Sequence, residues 1–489
     1  MKESADILLL REENLVLTQA NLVLKRENLV LSREIIVLKQ LLQEALDKMK
    51  KNSGNSSKAP SSDGFVKHTK SLRVSSGKRA GAQLGHKGST LEMSSNPDRI
   101  EILDVETCAY CGENLSDIFS EDFEARQVFD IPPIKLKVTE YRCMSKNCPH
   151  CKSKTKANFP LHVTNYVQYG SGVQKFALYL MHQQLLPVGR TAELFKTFFN
   201  HTISQGTLVR MSKKCYSQLA LFETQMLELL VQQNVLHFDE TGYRVKGGLQ
   251  WLHSISTKDL TLYMVHAKRG KEAMDSINIL PQFKGTAVHD FLRSYLDYVC
   301  KHGLCNPHLL RELIFCIEQK NSVWAADMKA FLLSTKQKVD DAKAKGENTL
   351  TLEVITEMEN QFSGLVNQGG EEHPLAKKIE GKRGKTKQTK ARNLLQRFDD
   401  YRKDILRFAY DFNVPFSNNQ AEQDIRMVKL KTKISGCFRS DEGALIFARI
   451  RSYLSTCKKQ GINLLDALSQ VINGKPYSIK DFTCNAQAP

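Results

Sequence analysis

The chain has 489 residues, 41% of them hydrophobic, and its 70 Lys and Arg against 53 Asp and Glu leave a net charge of +17. That length excludes one ordinary domain, and the cationic excess favours a polyanionic partner, nucleic acid first and an anionic membrane second. No apolar run approaches the roughly 20 residues that span a bilayer, and Met1-Lys2-Glu3 leads into charged heptads without a signal peptide. The expectation is a cytoplasmic protein with no membrane partner, whose 12 cysteines serve metal or packing instead of disulfides.

Residues 8–42 repeat at seven. Leu10, Leu17, Leu24, Leu31 and Leu38 form one series, Leu15, Leu22, Leu29 and Ile36 a second, and Asn14, Asn21 and Asn28 a third. Such spacing predicts a coiled-coil helix that joins a second copy; the alternative is a solitary amphipathic helix docked on its own protein. From Lys51 to Ser95 the chain turns to Ser, Gly, Lys and Arg, too poor in apolar residues to offset the entropy of ordering. That stretch is either a flexible tether or a basic arm that lies along phosphates.

Cys108-Ala109-Tyr110-Cys111 and Cys148-Pro149-His150-Cys151 flank a strand-like stretch from Gln127 to Tyr141. Two C-x2-C knuckles each turn two thiolates toward one point, which predicts a small β-rich domain around one structural Zn2+ held by Cys108, Cys111, Cys148 and Cys151. Cys143 is left over and is the alternative fourth ligand. Residues 170–230 read as helices, with Thr202-Ile203-Ser204-Gln205 as a helix entry, and serve as a scaffold or a helix-turn-helix.

Near residue 235 the periodicity changes to that of strands. Val235 to Thr241, Leu249 to Ser256 and Leu260 to Ala267 predict an antiparallel meander; Lys271 to Leu280 predicts a helix, and Gly285 to Asp290 a fourth strand. The first and fourth end in Asp239 and Asp290. That order resembles the ribonuclease H-like fold of nucleases and transposases, in which those two strands are neighbours. Carboxylates brought so close repel one another unless cations lie between them, which points to a pair of Mg2+ or Mn2+ ions and phosphoryl transfer.

A third carboxylate is expected on a later helix. Pro415 to Arg426 supplies Glu422, with Ser417 and Gln420 as a capping box, Arg426 one turn later on the same face, and Asp424 as the competitor. Glu240 is set aside because strand alternation sends it to the opposite face from Asp239. His237 and His289 read as packed or supporting side chains. Between Asp290 and Glu422 the chain is helical from Pro307 through Phe331 and from Leu350 to Leu365, then basic from Lys377 to Arg392. Within it, Cys305 and His308 have metal-capable spacing, but one pair cannot complete a zinc site, so they read as core or supporting residues.

Ser56 to Asp63, Gly81 to Gly88, the two knuckles, His237-Phe238-Asp239-Glu240-Thr241, His289-Asp290, Leu304 to Leu313 and Ser417 to Glu422 occur in the order seen in transposases of the insertion sequence 66 family. The resemblance continues through Lys433 to Ser440 and the helical tail from Ile450 to Leu468. It implies an Asp-Asp-Glu transposase with Asp239, Asp290 and Glu422 as catalytic and Mg2+-binding residues and the four knuckle cysteines as zinc ligands. Phe291-Leu292-Arg293 after Asp290 departs from the small or aromatic residues frequent there, and Cys143 is extra.

The expected architecture is therefore multidomain α+β. It comprises a coiled-coil helix over 1–50, a basic linker over 51–97, a zinc-binding domain over 98–165 and a helical region over 166–230. A ribonuclease H-like core follows over 231–300 and 405–440, interrupted by a helical insertion over 301–404 and succeeded by a helical segment over 441–489. The expected reaction is cleavage at the ends of an insertion sequence and transfer of the 3′-hydroxyl into target DNA. The rivals are an inactive zinc-containing DNA-binding protein and a nuclease without strand transfer. Expected partners are terminal-repeat and target DNA, a second copy through the coiled coil, and accessory proteins of the element.

Overall fold

The computed structural model describes residues 2–52, 55, 81, 85–86, 90–376 and 386–478. The string Ser56 to Asp63, most of Gly77 to Gly88 and the basic run from Lys377 to Lys385 lie outside the described residues. The chain divides into two compact units, one of Met1–Lys70, Ser171–Pro187 and Arg210–Pro489, the other of Ser71–Gly170 and Val188–Val209. Helices and one larger mixed sheet make the whole a mixed α/β protein.

In the larger unit, α1 (Lys2–Met49) is one continuous helix. Both leucine series, from Leu15 and from Leu17 onward, are exposed, as are Val16, Val23, Val30 and Val37 between them. Among the described residues, these apolar side chains of the helix do not dock on the rest of the chain. Its foot is tied down just beyond Met49, where Asn55 Nδ2 donates to Glu318 Oε2 at 3.0 Å.

The smaller unit holds two strands, β1 (Ser145–Asn147) and β2 (Lys154–Lys156), paired antiparallel around the second knuckle. The first knuckle carries one isolated bridge, Thr107 to Asn114. The expected strand from Gln127 to Tyr141 is irregular, and the region is not β-rich. Pro132 and Pro133 explain this, since two consecutive residues without N–H donors cannot sit inside a ladder. After α2 (Ser171–Leu178) of the larger unit come α3 (Val188–Phe199) and α4 (Gln205–Gln218). Ser204 marks the entry to α4 as expected: its Oγ accepts from Thr207 N at 3.1 Å.

Following α5 (Ala220–Val231), the larger unit builds its sheet from β3 (Val235–Val245), β4 (Gly248–Ser256), β5 (Thr261–His266), β6 (Thr286–His289) and β7 (Lys301–Leu304). The spatial order is β5-β4-β3-β6-β7. The first three strands are an antiparallel meander, and β6 and β7 add in parallel. Lys246 and Gly247 both take positive φ, 49° and 82°, in the two-residue turn whose twist suits a tight hairpin. α6 (Lys271–Ile277) makes the crossover to β6. Gly285 opens β6 so close to the start of β3 that a Cβ there would lie 2.5 Å from Asn234 O. The short β7, absent from the sequence reading, has only four residues and begins Lys-His-Gly, which carries little strand signature.

A helical block follows: α7 (Asn306–Lys320), α8 (Val323–Ala344), α9 (Leu352–Glu372), α10 (Lys390–Asp400), α11 (Arg402–Ile405) and α12 (Arg407–Tyr410). It has its own core, centred on Trp324, Phe331, Phe362 and Phe398. The helix expected from Pro307 through Phe331 is two. Asn321 turns left-handed at φ 47°, and Ser322 caps the next helix by accepting from Ala325 N at 3.3 Å. Finally α13 (Asn419–Ser435), α14 (Asp441–Lys459) and α15 (Leu464–Ile472) return to the sheet. Edge strand β5 is covered by α14, whose Ser452 and Thr456 hydroxyls accept from Tyr263 N (2.8 Å) and Thr261 N (3.1 Å).

Candidate active site

Parallel pairing of β3 with β6 ends at His237 opposite Val288. Asp239 and Asp290 each stand two residues further on, at the same end of neighbouring strands. α13 delivers Glu422 in its first turn. The helix is pinned there by Asn418, which is buried: its Oδ1 meets His237 Nδ1 at 2.8 Å and its Nδ2 donates to Phe238 O at 2.7 Å. This corrects the expected capping box, because Asn418 and not Ser417 precedes the helix, and its side chain serves the strand rather than the helix end. The three carboxylates do not gather within 4.8 Å as a trio. They do share one field: burial, then the charges of Glu240, Asp290 and Glu422, push the Asp239 carboxyl up to about 8.

Glu240, set aside on sequence grounds, stands on the face of β3 opposite Asp239 but belongs to the same network. Its side chain is 1% exposed and accepts from Arg269, with Nη2 at 2.7 Å and Nε at 2.8 Å from Oε1. Tyr295 Oη donates to Oε2 at 2.5 Å. Arg269 also comes within 4.0 Å of Asp290 Oδ2, and its guanidinium lies 5.0 Å from the Trp251 ring. One cation thus links the strand-face carboxylate to Asp290, whose Oδ1 takes Leu292 N at 2.9 Å. His289 is fully buried, stacks on Tyr295 at 4.5 Å and meets His302 Nδ1 at 3.0 Å. Burial holds it down to about 3, so it is a neutral packing residue near neutral pH.

Beside Glu422 lie Cys305, at the end of β7, and His308, in the first turn of α7. One donor atom from each of the three lies within 4.8 Å of the other two. His308 Nδ1 is 3.9 Å from Glu422 Oε1, and Cys305 Sγ accepts from Asn418 N at 3.3 Å. A cavity of about 200 Å3 opens here, lined by Asp290, Arg269, Cys305, His308, Glu312 and Arg397 among others. Asp424 turns away: it pairs with Lys459 at 2.9 Å, both largely buried, and accepts from Thr261 and Gln420. Arg426 is exposed and, among the described residues, makes no ion pair with Glu422.

In the smaller unit, the knuckles share one backbone geometry. Cys108 N donates to Glu113 O and Gly112 N to Cys108 O; Cys148 N donates to Ser153 O and Lys152 N to Cys148 O, all within 2.8–2.9 Å. Gly112 and Lys152 take positive φ, 77° and 61°, to close each loop. Hydrogen bonds within each knuckle favour the thiolate form of its cysteines. Such bonds, with that of Ser153 foremost, lower Cys151 to about 7, and backbone bonds lower Cys108. Thiols poised toward thiolate are the donor set zinc requires. Sulfurs of the two knuckles do not gather within 4.8 Å in threes.

Comparison with the sequence patterns of known families places residues 167–445, more than half of the chain, in the one described as Transposase IS66 family. The chain belongs to that family. Residues 106–152 match the zinc-finger binding domain of transposase IS66, and residues 11–92 match a family of unknown function. Comparison with curated proteins gives no match. An IS66-family transposase is a DNA-binding enzyme of insertion sequences, and the finger match supports a structural zinc. No helix among the described residues is long and apolar enough to cross a membrane.

Sequence reasoning set aside one residue of the transposase's site, Glu240. Glu240 had a signal: it shares its strand face with Leu236 and Phe238, both core residues, and a carboxylate on a core face demands a cation. Cys305 and His308, read from the sequence as core or supporting residues, stand beside Glu422.

Proposed function

We propose that this transposase is of the Asp-Asp-Glu type, with a ribonuclease H-like core, and that Asp239, Asp290 and Glu422 carry out cleavage at the ends of an insertion sequence and transfer of the 3′-hydroxyl into target DNA. The observation that carries this reading is the delivery of three carboxylates from β3, β6 and α13 into one electrostatic neighbourhood. The strand order, a meander followed by two parallel strands, supports the ribonuclease H-like assignment.

The donor set fits hard divalent cations: three carboxylates, one of them destabilised by burial and then by its neighbours' charge, are the oxygen ligands that Mg2+ or Mn2+ prefers. Two such ions, when bound, activate the attacking oxygen and stabilise the leaving one in an in-line displacement. The protein's part is positional. β3 and β6 hold Asp239 and Asp290 at a fixed register, Asn418 fixes the approach of Glu422, and Arg269 restrains Asp290 through its link to Glu240. The same carboxylates serve both steps, since cleavage and joining differ only in which hydroxyl attacks.

Cys108, Cys111, Cys148 and Cys151 are the proposed zinc ligands, and the chain's +17 charge supports binding of terminal-repeat and target DNA. The exposed leucine series of α1 supports pairing with a second copy. The test is joining of a labelled 3′-hydroxyl end of the element to plasmid DNA with Mg2+ or Mn2+. Joining by the wild type and its loss in Asp239→Asn, Asp290→Asn and Glu422→Gln is expected. Joining that survives Asp239→Asn overturns the triad; cleavage without joining puts a nuclease in its place.

A further inference from the structure

We propose that Cys305, His308 and Glu422 form a second zinc site, separate from the finger, and that a Zn2+ ion there withdraws Glu422 from the catalytic carboxylates. This is the single group of three donors within 4.8 Å among the described residues, and it is mixed: one sulfur, one imidazole nitrogen, one carboxylate oxygen. Sulfur and imidazole select a borderline ion such as Zn2+ over Mg2+, and three protein ligands leave a fourth position for water or another ligand.

The local chain is built for it. Cys305 follows β7 and caps α7, held by its own N–H to His289 O at 2.9 Å, and Pro307 sits in the first turn of α7 so that His308 comes round one turn later on the same side. Asn418 N donates to Cys305 Sγ at 3.3 Å, the kind of outer contact that orients a metal-bound sulfur. His308 Nδ1 is buried and has no hydrogen-bond partner, and its 3.9 Å separation from Glu422 is too long for one. An ion between them would satisfy that nitrogen. Binding expels the Cys305 thiol proton to solvent, leaving the sulfur as thiolate. Cys305 and His308 line the same cavity as Asp290, so the fourth position opens toward the reaction centre.

Zinc that holds Glu422 beside Cys305 and His308 keeps it from closing on Asp239 and Asp290, so zinc and catalytic metal compete for its position, and the enzyme would be silenced by free zinc. This regulatory half rests on the Asp-Asp-Glu reading; the site itself does not. The experiment uses the full-length protein equilibrated with Zn2+, its bound metal counted by atomic emission, and a Co2+ titration that reads thiolate coordination by absorption. Wild type is expected to hold one equivalent more than Cys305→Ser or His308→Ala. Cys111→Ser with Cys151→Ser should keep that equivalent, and so should Asp239→Asn. Affinity for it should fall at least about tenfold in each ligand variant. Equal zinc content in wild type and both Cys305→Ser and His308→Ala overturns the site, provided circular dichroism shows them folded; His308→Gln serves if either is not. In joining assays, zinc should inhibit wild type, and whatever joining His308→Ala retains should resist it. Equal inhibition of both overturns the regulation. Absence of joining in every protein would defeat the catalytic reading while the zinc count still decides the site.

Discussion

Replacing Arg269 by Met isolates the cost of an orphaned carboxylate. Glu240 is 1% exposed, and Arg269, at 41%, is its only charged partner among the described ion pairs. Removing one member of a buried pair typically costs about 3–5 kcal/mol, because the other charge stays out of water. Two features reduce that here. Tyr295 still donates to Oε2, and Arg269 gives up little desolvation, so about 2–3 kcal/mol is expected near pH 8. Burial and Asp290 already raise the Glu240 carboxyl, and loss of the guanidinium raises it further. A carboxyl whose folded value lies above its unfolded one loses stability as pH rises, so the penalty should shrink toward pH 5. Urea unfolding followed by circular dichroism measures it. The double variant Arg269→Met with Glu240→Gln should recover at least half, since no charge is then stranded. A single-variant loss below about 0.5 kcal/mol, or a double-variant loss equal to the sum of both singles, would refute the argument.

Asn418→Ala removes two buried hydrogen bonds from β3 and should cost about 2–3 kcal/mol, with joining falling more than binding of end DNA; gel-shift and joining assays on one preparation separate the two. In EDTA, stability should decline as pH rises from the usual carboxylate value of 3.8 toward about 8, with Asp239 contributing at most about 1.4 kcal/mol per pH unit. Thermal melts of Asp239→Asn should show a flatter profile, and an unchanged slope would contradict the shared field. Leu24→Asp with Leu31→Asp should dissociate any self-association through α1, read as halved mass by light scattering, while leaving the melt of the remaining protein unmoved.

The sheet was legible because its signals are local. β4, β5 and β6 lie within a residue of their expected bounds, and β3 starts where expected at Val235 but runs four residues past Thr241, to Val245. Gln127 to Tyr141 misled because its apolar residues suggest a strand while Pro132 and Pro133 forbid the ladder. Ser417 and Gln420 misled in a different way: the spacing suits a capping box, but tertiary bonding claims Asn418 for β3. Asp424 and Glu422 are two residues apart on one helix, and only packing tells them apart. Lys459 from α14 neutralises Asp424 on the side of β5, whereas Glu422 stands beside Cys305 and His308.

How acids so far apart along the chain keep one geometry follows from the ends of the helical block. Asn306 N donates to Phe416 O at 3.1 Å, and its Nδ2 donates to Ile405 O at 3.0 Å. Cys305 Sγ takes Asn418 N. Entry and exit of the insertion are thus stapled within one turn of α7, directly behind Asp290 and ahead of Glu422. Closure entropy grows only logarithmically with loop length, and the block carries its own core, so its size places little load on the site. What the site cannot tolerate is movement at the staple. Cys305, His308 and Asn418 are therefore placed where a change in one ligand's position reaches Glu422 directly, and a metal that draws Cys305 and His308 together acts at the point where the two halves of the core are joined.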